Sequence, residues 1–140
     1  MCRLIPDELR EKMIENAKDM LKGRESDHPP IVKLFSIAGN ATWLLSELNP
    51  FEPDIAYGLC DLGMGSPELG YVSLEELEGL QHPLLPISLV IRDEHFNAEY
   101  LMSVYMEAAR KHQSITENPA HLQQAYQKLT RQIKSAPSFI

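Results

Sequence analysis

Five polar residues stand inside largely apolar stretches of this chain: Glu47, Asp61, Glu68, Arg92 and Asp93. Two carboxylates held together could act as general acid and base, or could bind a hard cation through oxygen. No Asp-x-Asp or histidine-rich spacing accompanies these acids, so the pattern gives a metal no support. Their plainer use is a structural ion pair, with Arg92 bridging one or two of the acids. The rival use is a carboxylate/arginine polar centre of an enzyme, built on Asp61, Glu68 and Arg92.

The other reactive side chains form no constellation. His28, His82, His95, His112 and His121 are scattered, and no two have the i, i+4 spacing of a helical zinc site. Ser46, Ser66 and Ser73 lack the context of a nucleophile elbow. Cys2 and Cys60 are too far apart for a metal or redox pair and read as free thiols, Cys60 as a small core hydrophobe. Gly58, Gly63, Gly65 and Gly70 frame a turn between two strands, flanked by Asp61 and Glu68. A phosphate loop would lead into a helix and carry a cation, so these glycines read as turn geometry. The expectation is no catalytic residue, no metal and no cofactor.

Charge is distributed more tellingly than chemistry. Residues 34–91 contain no Lys or Arg but hold Glu47, Glu52, Asp54, Asp61, Glu68, Glu75, Glu76 and Glu78. The whole chain has a formal charge of −7, so this segment accounts for all of it. A field of one sign repels nucleic acid and favours a basic partner. Glu52, Asp54, Asp61, Glu68, Glu75, Glu76 and Glu78 fall at turns, strand ends and a short helix, where side chains normally reach solvent. They are the expected partner-binding surface.

The elements that position these residues follow from periodicity. Pro6, Asp7 and Glu8 open a helix with Leu9, Met13, Ala17, Met20 and Leu21 on one face, and Gly23 stops it. Residues 24–30 read as a polar, proline-ended linker. Strands are expected over Ile31–Ile37, Ala41–Leu48, Ile55–Leu62, Glu68–Val72 and Ile87–Asp93. The first four have connections too short for crossover helices, so neighbours should be antiparallel. Ser73 and Glu76 form a capping box for a short helix. Asn97 is expected to cap a helix reaching Lys111, with Leu101, Met102, Tyr105, Ala108 and Ala109 inward. Asn118-Pro119 starts a last helix whose stripe, Leu122 to Ile133, should pack on the sheet. Trp43, flanked by Leu44 and Leu45, is expected in the core. The sum is one α+β domain over residues 1–140: helix and linker to residue 30, a small antiparallel meander sheet over 31–93, and helices over 94–140.

The run Ala41-Thr-Trp-Leu-Leu-Ser-Glu-Leu48, with Ala56-Tyr-Gly-Leu-Cys-Asp-Leu-Gly-Met-Gly-Ser-Pro-Glu-Leu-Gly-Tyr-Val-Ser-Leu-Glu-Glu-Leu77, resembles a bacterial family known as domain of unknown function 2958. Lys33, Phe35 and the Arg92-Asp93 pair extend the likeness to roughly Leu4–Ile115. Ile91 departs from the family's usual Glu. The resemblance implies a small protein of plasmids, phages and other mobile elements, and makes residues 116–140 an extension. It implies no activity. With no apolar run long enough for a bilayer and no signal-peptide core at the N-terminus, the expected setting is cytoplasmic and away from membranes. The functional expectation is a non-catalytic protein-interaction module, a monomer or weak homodimer. Its acids would engage a basic protein surface, by mimicry of nucleic acid, without binding nucleic acid directly. A structural accessory without a dedicated partner is the remaining alternative.

Overall fold

A computed structural model of the protein describes residues 4–23, 27–85 and 87–135. The reading of Cys2 as a free thiol, and residues 24–26 of the linker, lie outside them. Helix α1 (Asp7–Leu21) precedes strands β1 (Val32–Ser36), β2 (Thr42–Leu48), β3 (Ile55–Asp61) and β4 (Glu68–Ser73). Helix α2 (Leu74–Glu78), strand β5 (Val90–Arg92), and helices α3 (Met102–His112) and α4 (Pro119–Ser135) follow. The sheet order is β4-β3-β2-β1-β5, and every pair is antiparallel. The expected α+β meander is present, with β5 returning to the far side of β1.

Strand β2 is buried along nearly its whole length because it lies at the centre of the sheet with apolar layers on both faces. Trp43, Leu45 and Leu48 join Val32, Leu34, Met13 of α1 and Leu74 of α2 in one cluster. Leu44 joins Leu59, Tyr105, Ala108 and Ala109 in the other. A strict alternation could not send both Leu45 and Leu48 to one face. The register shift between Leu45 and Glu47 is a bulge at Ser46 that resets the alternation. The buried Ser46 carbonyl accepts a hydrogen bond from Asn16 Nδ2 of α1 at 2.9 Å, so the bulge carries no orphaned acceptor.

Gly58 marks a close backbone approach between β2 and β3. It pairs with Leu45, and a Cβ there would sit 2.0 Å from the Leu44 carbonyl oxygen. Gly23, at φ +79°, ends α1 as its position suggested.

Three expectations need correcting. Strand β5 has only three residues, although hydrogen bonds from Ile37 N to the Leu89 carbonyl and from Asp93 N to the Lys33 carbonyl extend its contact with β1. Helix α3 starts at Met102, and Asn97 does not cap it. The cap comes from the linker: the Asp27 carboxylate accepts from Ser103 N (3.0 Å) and Ser103 Oγ (2.6 Å), and the His28 carbonyl accepts from Met102 N. Leu101 is consequently outside the helix and exposed. Helix α4 packs chiefly on α3, not on the sheet. Its Leu122 and Ala125 are buried, while Tyr126 and Ile133 face solvent.

Candidate functional site

The five polar residues do not converge. Glu68 lies on β4 and Arg92 on β5, the two outermost strands. Four strand spacings of about 4.8 Å put them roughly 19 Å apart across the sheet. Asp61 is buried at the end of β3, where its Oδ1 accepts from Gly63 N (2.8 Å) and its Oδ2 from Ile115 N (2.9 Å). It fastens the joint before α4 and is no part of a surface. No ion pair bridged by Arg92 forms among the described residues. Lys33 makes the pairs of this corner, 3.8 Å from Asp93 and hydrogen-bonded to Glu117. The Arg92 side chain instead lines an open cleft of about 1050 Å³ beside β5, with Glu78, Ser88, Asp93 and His95.

The acids of residues 34–91 divide by role. Glu52, Glu68, Glu75 and Glu76 are exposed. Asp54 is half-buried: its carboxylate accepts from Ser73 Oγ (2.6 Å) and Glu75 N (2.8 Å), and its carbonyl accepts from Leu74 N. Ser73 Oγ in turn accepts from Glu76 N, as the capping pattern requires. Glu78 accepts from Leu4 N. Asp54 therefore docks the β2–β3 turn against the start of α2, and this docking gathers Glu52, Glu75 and Glu76 at one end of the sheet. Glu68 sits at the opposite end of β4.

The end that carries Glu52 also holds an aromatic hollow. Glu47, Tyr57 and Tyr71 stand in register across β2, β3 and β4. The two tyrosine rings meet with centroids 5.0 Å apart. Phe51 from the β2–β3 turn and Ala17 and Leu21 from the end of α1 complete a cavity of about 210 Å³. Glu47 is 5% exposed, whereas Phe51 is 80%, Tyr71 68% and Leu21 63% exposed. The turn is held firmly: Asn49 Oδ1 accepts from Phe51 N (2.8 Å) and Glu52 N (3.3 Å), Asn49 N bonds the Ile55 carbonyl, and Arg10 Nη2 of α1 bonds the Pro53 carbonyl. The Tyr57 hydroxyl is pushed upward in pKa by burial first, then by the Glu47 charge. Sequence reasoning passed over Phe51 and Tyr71. The available signal was a large apolar residue between two prolines, in Asn49-Pro-Phe-Glu-Pro53.

Cys60 and the His112–His121 pair lie within the packed parts of the fold. Cys60 is a free thiol whose pKa burial raises to about 11, which suppresses the thiolate. His112 and His121 stack across α3 and α4 with centroids 3.7 Å apart. Desolvation, and then the neighbouring His121 and Lys111, lower the pKa of His112. Among the described residues no three of His, Cys, Asp or Glu gather as a metal site, and no helix is long and apolar enough to cross a membrane.

A family model described as protein of unknown function DUF2958 matches residues 4–116. The chain belongs to that family. No curated protein and no solved structure matches the chain. The DUF2958 match spans the sheet, α1 to α3 and the Asp61–Ile115 bond, and it stops before α4. A DUF2958 chain cut after Thr116 keeps that bond and loses the packing of Leu122 and Ala125. It is expected to unfold cooperatively at a lower midpoint, followed by circular dichroism. A broad, non-cooperative melt would make α4 integral to the fold.

Proposed function

We propose that this protein acts without a catalytic centre, as an acidic interaction module of a mobile genetic element. In the cytoplasm of its host it would occupy a basic surface of a host or defence protein, one that otherwise handles nucleic acid. The observation that carries this reading is the gathering of Glu52, Glu75 and Glu76 at one end of the sheet by the Asp54 cap, within a segment that has no Lys or Arg. Such a field speeds encounter with a cationic groove and weakens as salt shortens the Debye length, about 10 Å at 0.1 M. It also opposes direct binding of nucleic acid, whose affinity comes largely from neutralised phosphates. The distance of Arg92 from Asp61 and Glu68, and the burial of Asp61 against two backbone N–H groups, support the non-catalytic reading, because paired acid–base chemistry requires side chains within reach of one substrate.

The test is affinity capture from the native host, followed by reversal of Glu52, Glu75 and Glu76 to Lys. Asp54 is left intact because it caps α2. Binding of the captured partner is expected to fall at least about tenfold and to weaken with added salt. The melt should move little, since exposed substitutions normally stay within about 0.5 kcal/mol. A partner indifferent to both salt and charge reversal would refute the electrostatic reading.

A further inference from the structure

Two ionisable rings meet where α4 folds back on α3. His112, the last residue of α3, lies face to face with His121 of α4, with centroids 3.7 Å apart and planes 17° from parallel. His121 Nδ1 is 2.9 Å from Thr116 Oγ1, which also accepts from Asn118 N and so ties the ring to the turn before α4. Nε2 of His112 is buried and has no hydrogen-bond partner among the described residues. An imidazolium carries a proton on both ring nitrogens. Charging His112 would therefore bury a cationic N–H with no acceptor and set it against a second imidazole and Lys111. The acids on the elements around the joint are already engaged: Glu107 with Lys128 and Arg110, Glu117 with Lys33, and Asp61 with the N–H groups of Gly63 and Ile115. The carbonyl end of α3 favours a cation. Desolvation first, then His121 and Lys111, outweigh it and lower the pKa of His112.

We propose that the His112–His121 stack is a latch that holds α4 on α3 while both rings are neutral and loosens it in mild acid. Docked, the two helices bury an apolar seam that contains Ala108, Ala109, Leu122 and Ala125. Release bares that seam and frees His112 to take a proton at its ordinary value of about 6.5. The released chain binds more protons than the docked chain between that value and the lower docked one. Docking is therefore fully favoured above about pH 6.5 and is lost as pH falls below it. The ratio of docked to released chain falls by at most about tenfold for each pH unit in that window. The family match ends at residue 116, so the latch acts on a helix outside the matched region, and the Asp61–Ile115 bond keeps the joint fastened when α4 lets go. The latch does not depend on any partner of the acidic end.

The test uses the full chain and compares amide hydrogen exchange over residues 122–129 in the wild type and in His112→Phe, which keeps a flat ring against His121 but cannot titrate. Taking the ratio of the two proteins at each pH cancels the pH dependence of exchange itself. The wild-type-to-variant ratio of exchange rates is expected to rise about 3- to 10-fold from pH 7.5 to pH 5.5. A second measurement needs no variant. In the wild type, the ring protons of His112, followed by nuclear magnetic resonance, should titrate with a midpoint below about 6.5, and the methyl resonances of Leu122 and Ala125 should shift over the same range. An unchanged exchange ratio would overturn the latch, because the two proteins would then loosen alike in acid and the cause would lie in another group, such as the Asp61 carboxylate that holds Ile115 N. A His112 midpoint at or above about 6.5, or a titration that leaves the Leu122 and Ala125 methyls unmoved, would overturn it independently, even if the variant failed to fold.

Discussion

Gly58→Ala is expected to destabilise this protein severely. The new Cβ would lie 2.0 Å from the Leu44 carbonyl oxygen and 2.7 Å from Leu45 Cα. These are backbone atoms of the central strand, so no rotamer change can relieve the overlap. Either β2 and β3 separate at this point or the bulge at Ser46 moves, and both disturb the two clusters that flank β2. Overpacking by a methyl group ordinarily costs about 1–3 kcal/mol, and a clash with backbone belongs at or above the top of that range. Against a typical domain stability of about 5–15 kcal/mol, such a loss is large. Gly70 is the natural control. It sits opposite Gly58 in register on β4, and a Cβ there meets nothing within 4 Å. Gly70→Ala should therefore melt close to wild type in urea, while Gly58→Ala shows a much lower midpoint or fails to fold. Equal midpoints for the two variants would show that β2 and β3 are not packed so closely.

Trp43→Ala is expected to lower stability by about 3–5 kcal/mol, the usual range for truncating a buried aromatic. Trp43 is 4% exposed and lies in register between Leu34 of β1 and Cys60 of β3. Its cluster joins α1, α2 and the sheet, so the cavity left behind would be bordered by several elements that cannot all collapse inward. Trp43→Phe, which retains most of the apolar volume, should lose clearly less. The check is a denaturant midpoint for each variant, with tryptophan emission of the wild type blue-shifted while folded. A Trp43→Ala midpoint within about 0.5 kcal/mol of wild type, as for a surface site, would be incompatible with this core.

Local features of the sequence determined the parts of the fold that depend on neighbours along the chain. The helical period placed Met13 and Ala17 inward, Gly23 ended α1, and the Ser73–Glu76 box capped α2. Proline and glycine punctuation separated β1 to β4, and their short connections required antiparallel pairing. The apolar density around Trp43 identified the central strand. Each of these signals acts over a few residues, where propensity, capping and turn chemistry are decided.

Tertiary structure decided everything that joins distant residues. The cap of α3 comes from Asp27, 76 positions before Ser103, and no local pattern near Asn97 could reveal it. Lys33, not Arg92, pairs with Asp93, because β1 brings its side chain between Asp93 and Glu117. Asp61 reads as a surface acid by its place at a strand end. The backbone N–H of Ile115, 54 positions on, makes it a buried fastening. The bulge at Ser46 turned Glu47 into register with Tyr57, and β4 then added Tyr71 beside it. Sequence therefore fixed the sign of the charge and the segment that carries it, because composition needs no geometry. Which acids reach solvent, and which aromatic rings stand beside them, depended on strand order and register. Those are set by packing the whole sheet between α1 and α3, since burial of apolar surface is non-directional and selects an arrangement of the entire chain, not of any one segment.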